Sequence, residues 1–82
     1  MIKKYKPIKI IEGALYLLDR PVSYEELGEL IEADTDIIDN LIEKLRDELL
    51  DRSASYEIIE IRPKVVQMKL RNEIVARLHY PF

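Results

Sequence analysis

Residues 21–52, PVSYEELGELIEADTDIIDNLIEKLRDELLDR, constrain the fold more than any other stretch, because the start of each of two amphipathic helices is written into them. Ser23 followed three residues later by Glu26 is a capping box, in which the hydroxyl accepts from the Glu26 N–H and the carboxylate accepts from the Ser23 N–H. Val22 and Leu27 frame it as a hydrophobic staple, and Pro21 keeps the preceding chain out of helix. Leu27, Leu30 and Ile31, with Tyr24 on the same side, then recur at helical spacing and predict an inward stripe, while Glu25, Glu29 and Glu32 point outward. Asp34 is placed to cap a second helix, with Asp36 in its first turn complementing the positive end of the helix dipole. On that helix Ile37, Ile38, Leu41, Ile42, Leu45 and Leu49 fall in one arc of which Ile37 marks an edge. Leu50 falls instead on the polar side, among Asp39, Glu43 and Arg46. Two capped helices joined by a tight acidic turn predict a helix-turn-helix.

In such a unit the second helix is the one that ordinarily enters a DNA major groove, so its charge is diagnostic. Between Asp36 and Arg52 stand six acids and three bases, a balance that phosphate repels. The chain's net charge of −3 is segregated as well: residues 1–11 carry +4, residues 12–51 carry −10 and residues 52–82 carry +3. An acidic body between two basic segments suits a basic partner at least as well as a nucleic acid.

Ahead of this unit, residues 1–7 form a basic lead and residues 8–82 a single domain. Pro7 fits the first turn of a helix, where its missing N–H costs nothing. Ile8, Ile10, Ile11, Ala14, Leu15, Leu17 and Leu18 then span about half the helix circumference, wider than one core contact requires. Two readings follow: the other helices and the wing cover this face, or its rim, with Ile10 and Leu17 beside Gly13, serves self-association while Leu15 and Leu18 face the core. After Arg52 the pattern turns to β. Tyr56–Arg62 and Val65–Leu70 flank Pro63-Lys64 as a hairpin, with Ile59, Ile61, Val66, Met68 and Leu70 expected on one inner face. Pro63-Lys64 is not an Asn-Gly type turn, so a longer or bulged tip is expected. Asn72 can cap a short helix through Leu78, before Pro81 and Phe82. The fold class that results is α+β, mostly α: a winged helix-turn-helix with a three-helix core, a two-stranded β wing and a short C-terminal helix.

Catalytic chemistry finds few reagents here. There is no cysteine, His79 is the only histidine, and no Gly-rich phosphate loop or metal-ligand spacing occurs, so neither an enzyme nor a cofactor is expected. Asp39 with Glu43 and Asp47 with Asp51 read as a solvated acidic face, and the five tyrosines are too dispersed for a base-stacking platform. The longest apolar run is far too short for a membrane span and follows no signal-peptide pattern, which points to the cytoplasm.

Across residues 8–70 the chain resembles a known family. IEGALYLLDRPVSYEELGELIEADTDIIDNLIEKLRDEL is similar to the first winged-helix domain of segregation and condensation protein B, ScpB. The likeness lies in Ile11-Glu12 followed by Ala14-Leu15-Tyr16, in the Pro21-Val22-Ser23 entry, in Glu25-Glu26-Leu27 with Leu30-Ile31, and in a long acidic third helix. The strand Glu57 to Ile61 and the Gln67-containing return strand resemble the family's wing. The resemblance implies a non-enzymatic, dimeric subunit of the chromosome-condensing complex, which embraces the kleisin subunit bridging the structural-maintenance-of-chromosomes (SMC) ATPase heads. It implies a cytoplasmic, nucleoid-associated location too. This chain departs from the family's usual glycine-containing turns at Leu18-Asp19 and at Pro63-Lys64. It also stops before the family's second winged helix, as a fragment or a one-domain relative would.

The sequence therefore predicts a protein-interaction module, with Ile10, Gly13, Leu17, Ile37 and Leu50 as candidate dimer or partner contacts. The rival is a DNA-binding transcriptional regulator. It would have to use the basic edges, Lys3, Lys4, Lys6 and Lys9 with Arg62, Lys64, Lys69 and Arg71, and direct DNA binding is expected to be weak or absent.

Overall fold

The computed structural model describes residues 4–79. Helix α1 spans Pro7–Leu18 with Pro7 in its first turn, and the Lys9 and Ile10 N–H groups donate to the Lys6 carbonyl. Its end is closed by Asp19 in the left-handed region, at φ 49°. Strand β1, Val22–Ser23, leads directly into α2, Tyr24–Ile31. The capping box is complete, since Glu26 N–H donates to Ser23 Oγ at 3.1 Å and Ser23 N–H donates to Glu26 Oε1 at 3.2 Å. Glu32, at φ 57°, reverses the chain. Helix α3, Thr35–Asp51, then starts from Asp34, whose Oδ1 accepts from Ile37 N–H at 3.1 Å. Replacing Ser23 with alanine should cost about 0.5–2 kcal/mol; an unchanged urea midpoint would show that the hydroxyl contributes nothing to the start of α2.

The Glu26 carboxylate has a second partner. Arg20 Nη2 donates to it at 2.8 Å, and this guanidinium, together with the Ser23 N–H, holds the carboxyl down to about 2 from an ordinary 4.5. Because the folded-state pKa is depressed, this contribution is full above pH 4.5 and fades as pH falls from there toward 2. Stability should accordingly drop more steeply over that window in the wild type than in Glu26→Gln. Parallel acid-denaturation profiles for the two proteins would refute the assignment.

The core is wholly apolar among the described residues, with no buried polar or charged side chain. Helix α1 contributes Ile8, Ile11 and Leu15, α2 contributes Tyr24, Leu27 and Ile31, and α3 contributes Ile38, Ile42, Leu45 and Leu49. Burying each of the aliphatic side chains is worth about 1.5–3 kcal/mol. Val22, Ile58, Val66 and Met68 complete the core from a three-stranded antiparallel sheet of order β1-β3-β2.

The hairpin strands β2, Tyr56–Arg62, and β3, Val65–Leu70, pair from Tyr56↔Leu70 to Glu60↔Val66. Ile61 is then bulged, so that Arg62 faces Val65, and Lys64 turns the tip at φ 61°. The expected bulged tip is present. So are the two wing strands, but they gain a third neighbour, because β1 pairs with β3 through Val22↔Val66 and Ser23↔Val65.

Several expected facings are corrected. Ile58, not Ile59 or Ile61, points into the core opposite Met68, while Ile59, Ile61 and Leu70 are exposed. A strand flips every side chain when its phase shifts by one residue, and Ile58-Ile59 offers an apolar residue in either phase. Leu30 is half-exposed, and Leu18, at 37% exposure, lies beyond the seat of α1 on the core. The last helix, α4, spans Asn72–His79. Its first turn donates from Ile74 and Val75 to the Arg71 carbonyl, so the cap position falls on Arg71, one residue before Asn72. The expected chain end at Pro81 and Phe82 lies outside the described residues, as do Lys3 and Tyr80.

Candidate functional site

The outer edge of α1 follows from which of its residues the core takes. Ile8, Ile11 and Leu15 point inward, Glu12 and Lys9 turn toward α3, and the remaining rim carries Ile10, Gly13 and Leu17. Leu17 is 81% exposed, and a Cβ built on Gly13 would meet nothing within 4 Å. Ile10 is half-buried against the core. The wing thus leaves Leu17 uncovered within this chain, while Ile10 at the same rim is partly covered by the core, so the two readings of the wide apolar face each hold for part of it.

Helix α3 presents the charge pattern expected of it. Asp36, Asp39, Glu43, Asp47 and Asp51 are all exposed. Arg46 is engaged by Glu43 at 3.0 Å, and Asp39 accepts from the Tyr24 hydroxyl at 3.3 Å. Burial, with Asp39 beside it, pushes the Tyr24 phenol up, so it stays a neutral donor. Ile37, at 48%, and Leu50, at 67%, stand exposed on opposite sides of the buried stripe. Leu50 belongs to a different surface from the α1 rim, a small recess of about 170 Å³ that it lines with Arg46, Glu57 and Arg71.

Two of the candidate basic residues are engaged within the chain. Lys9 is drawn to Glu12 at 3.4 Å and to Glu48 at 3.8 Å. Arg71 spends its guanidinium on the Ala54 carbonyl at 2.9 Å and lies 3.6 Å from Glu57, so it fastens the end of the wing to the chain leaving α3. Lys4, Lys6, Arg62, Lys64 and Lys69 are exposed. Arg62 and Lys64 sit at the wing tip, where the Lys64 carbonyl accepts from Tyr24 N–H at 2.9 Å.

One polar cluster escaped the sequence reading. Arg52 donates to Glu12 and to the Tyr56 hydroxyl, and the Tyr56 ring meets Tyr16 edge-on at 6.3 Å between centroids. Burial alone would raise the Glu12 carboxyl, but Arg52 and Lys9 outweigh it and hold it below its ordinary value. Glu12 meets Arg52, and Tyr16 meets Tyr56, across forty positions of sequence, and no local spacing signals either meeting. Among the described residues no group of acidic or histidine side chains is arranged to hold a metal ion, and no helix is long and apolar enough to cross a membrane.

A three-helix core with a capped helix-turn-helix and a sheet wing defines a winged helix-turn-helix protein, here one whose third helix is acidic. Residues 9–79 match the family model of the segregation and condensation complex subunit ScpB. The chain belongs to that family. Its fold is similar to that in the crystal structure of ScpB from Mycobacterium tuberculosis, with a TM-score of 0.77 at 18% identity, over 89% of this chain and 45% of that one. The chain thus spans less than half the length of that relative. No curated protein matches it.

Proposed function

We propose that this winged helix is a non-enzymatic protein-interaction module, the dimerising accessory subunit of an SMC–kleisin complex that acts in chromosome condensation and segregation. Family membership supports the complex, and the observation that carries the interaction reading is the outer face of α3. Where a DNA reader presents bases, this helix exposes five acids, and its one half-buried arginine, Arg46, is paired with Glu43. On this reading the α1 rim of Ile10, Gly13 and Leu17 meets a second copy, Ile37 and Leu50 contribute to partner contacts, and a kleisin-type subunit is the further partner. The location is cytoplasmic and nucleoid-associated.

Co-expression with the kleisin and SMC subunits of the same organism should give one co-eluting complex on size-exclusion chromatography. In parallel, fluorescence titration with duplex DNA at physiological salt should show affinity no better than about 10⁻⁴–10⁻⁶ M, the range of nonspecific contacts. Tighter DNA binding with a steep salt slope, and no co-elution, would overturn the proposal in favour of a regulator.

A further inference from the structure

Helix α4 rests on the domain without sinking into it. From Asn72 to Leu78 none of its side chains is fully buried: Ile74 and Val75 are half-buried, and Leu78, three residues on from Val75 and on the same helix face, is exposed. Val75 lines a groove of about 950 Å³ together with Tyr16 and Leu17 at the end of α1, and with Tyr56 and Leu70 at the end of the β2–β3 ladder. Tyr16 is held edge-on to Tyr56 and so belongs to the wall, whereas Leu17 stands out from it. Asp19, Gln67, Lys69 and Asn72 border the groove as well, a mixture ordinary for a contact between separately folded chains.

The α1 rim alone is too small to hold two chains together. A stable contact buries about 800 Å² on each partner. The rim offers one projecting side chain, Leu17, beside the half-buried Ile10 and the bare backbone of Gly13. Leu17 lies on the rim and in the groove lining at once, so the two surfaces are continuous, and a second copy seated on Leu17 also faces the groove. The combined surface is complementary to itself. It carries a projection next to a hollow, and a two-fold contact puts the projection of each copy into the hollow of the other. The groove is several times the ~150 Å³ that holds a benzene ring, so it accepts a helix end rather than a lone side chain.

From this we infer that the second copy proposed at the α1 rim seats the last turn of its own α1 in this groove, reciprocally. Leu17 of each copy packs against Leu70 and Val75 of the other, and Leu78 is covered at the edge of the contact. The inference rests on the dimer reading of the rim, and adds α4 and the base of the wing to the interface. It also accounts for a helix whose apolar side stays open in the single chain: α4 completes its burial only in the pair.

The test uses the whole 82-residue chain. In an equal mixture of ¹³C-labelled and unlabelled protein, isotope-filtered NOE spectra should show the Leu17 methyls of one copy against the Leu70 and Val75 methyls of the other. Leu78→Lys, a change at an exposed position, should keep the circular dichroism spectrum and melting curve while weakening self-association at least about tenfold by sedimentation equilibrium. Ile61→Lys, equally open but at the wing tip, should associate as the wild type does. A wild-type dimer in which Leu17 meets only Leu17 or Ile10 of the other copy would overturn the inference and leave the rim reading standing, as would a Leu78→Lys protein that dimerises normally. Should that variant not fold, the filtered spectra of the wild type decide alone. A wild type that stays monomeric at every concentration would overturn the inference and the rim reading together.

Discussion

Leu15→Lys is expected to leave the chain unfolded, while Leu17→Lys, two residues further along the same helix, is expected to leave it folded and convert a dimer to a monomer. Leu15 is 1% exposed and packed among the core residues, so a lysine there buries an unpaired ammonium. That costs several kcal/mol, against a total stability of about 4–12 kcal/mol for a chain of this length. Leu17 is 81% exposed, so a charge there stays in water and disturbs only whatever packs on it from outside. Leu18, with 37% of its surface open, falls between Leu15 and Leu17. Sedimentation equilibrium with circular dichroism distinguishes the outcomes: a monomeric wild type, or an unfolded Leu17→Lys protein, would end the case for an interface at the α1 rim.

Gly28→Ala should be the most damaging single-methyl change. A Cβ built on Gly28 would sit 2.4 Å from the Ala33 carbonyl oxygen, a contact with backbone that no rotamer change relieves. The same glycine's carbonyl accepts from Glu32 N–H and from Ala33 N–H at 2.9 Å, so any shift strains the reversal joining α2 to α3. Overpacking of this kind costs about 1–3 kcal/mol, which lowers the melting temperature of a domain this size by about 4–24 °C. Gly13 is the control, because its Cβ direction is empty and alanine there improves helix propensity by about 0.5–1 kcal/mol. A Gly28→Ala protein that melts with the wild type would show that the α2–α3 turn yields where the packing says it cannot.

The helices were legible because their signals are local. Ser23 and Glu26, or Asp34 and its first turn, lie within one helical turn of what they specify, and both caps form where the spacing put them. The wing was legible as a hairpin but not in its phase, since β2 carries isoleucine at 58, 59 and 61 and only packing against α3 selects Ile58. β1 has two residues, too few to show any period. Gly28 was opaque for a different reason: its requirement comes from a carbonyl five residues on, brought back by a turn. The α1 rim was read as a wide apolar stripe with two explanations, and only the placement of the wing shows that the chain itself leaves Leu17 bare. At Asp19 and Lys64, two turns that carry no glycine, both residues adopt the left-handed backbone that glycine favours.

Ser23 and Tyr24 belong to two structures at once. Ser23 pairs with Val65 in the sheet and caps α2 with its hydroxyl, and the next N–H, that of Tyr24, is spent on the Lys64 carbonyl at the wing tip. The first turn of α2 therefore has no slack relative to the wing: tilting the hairpin away draws out the residue that starts the helix. A load applied at the tip is passed on to the helix pair through main-chain hydrogen bonds. Wing tip and the start of α2 are thus joined through main-chain hydrogen bonds, and a contact made at the tip bears directly on the first turn of that helix.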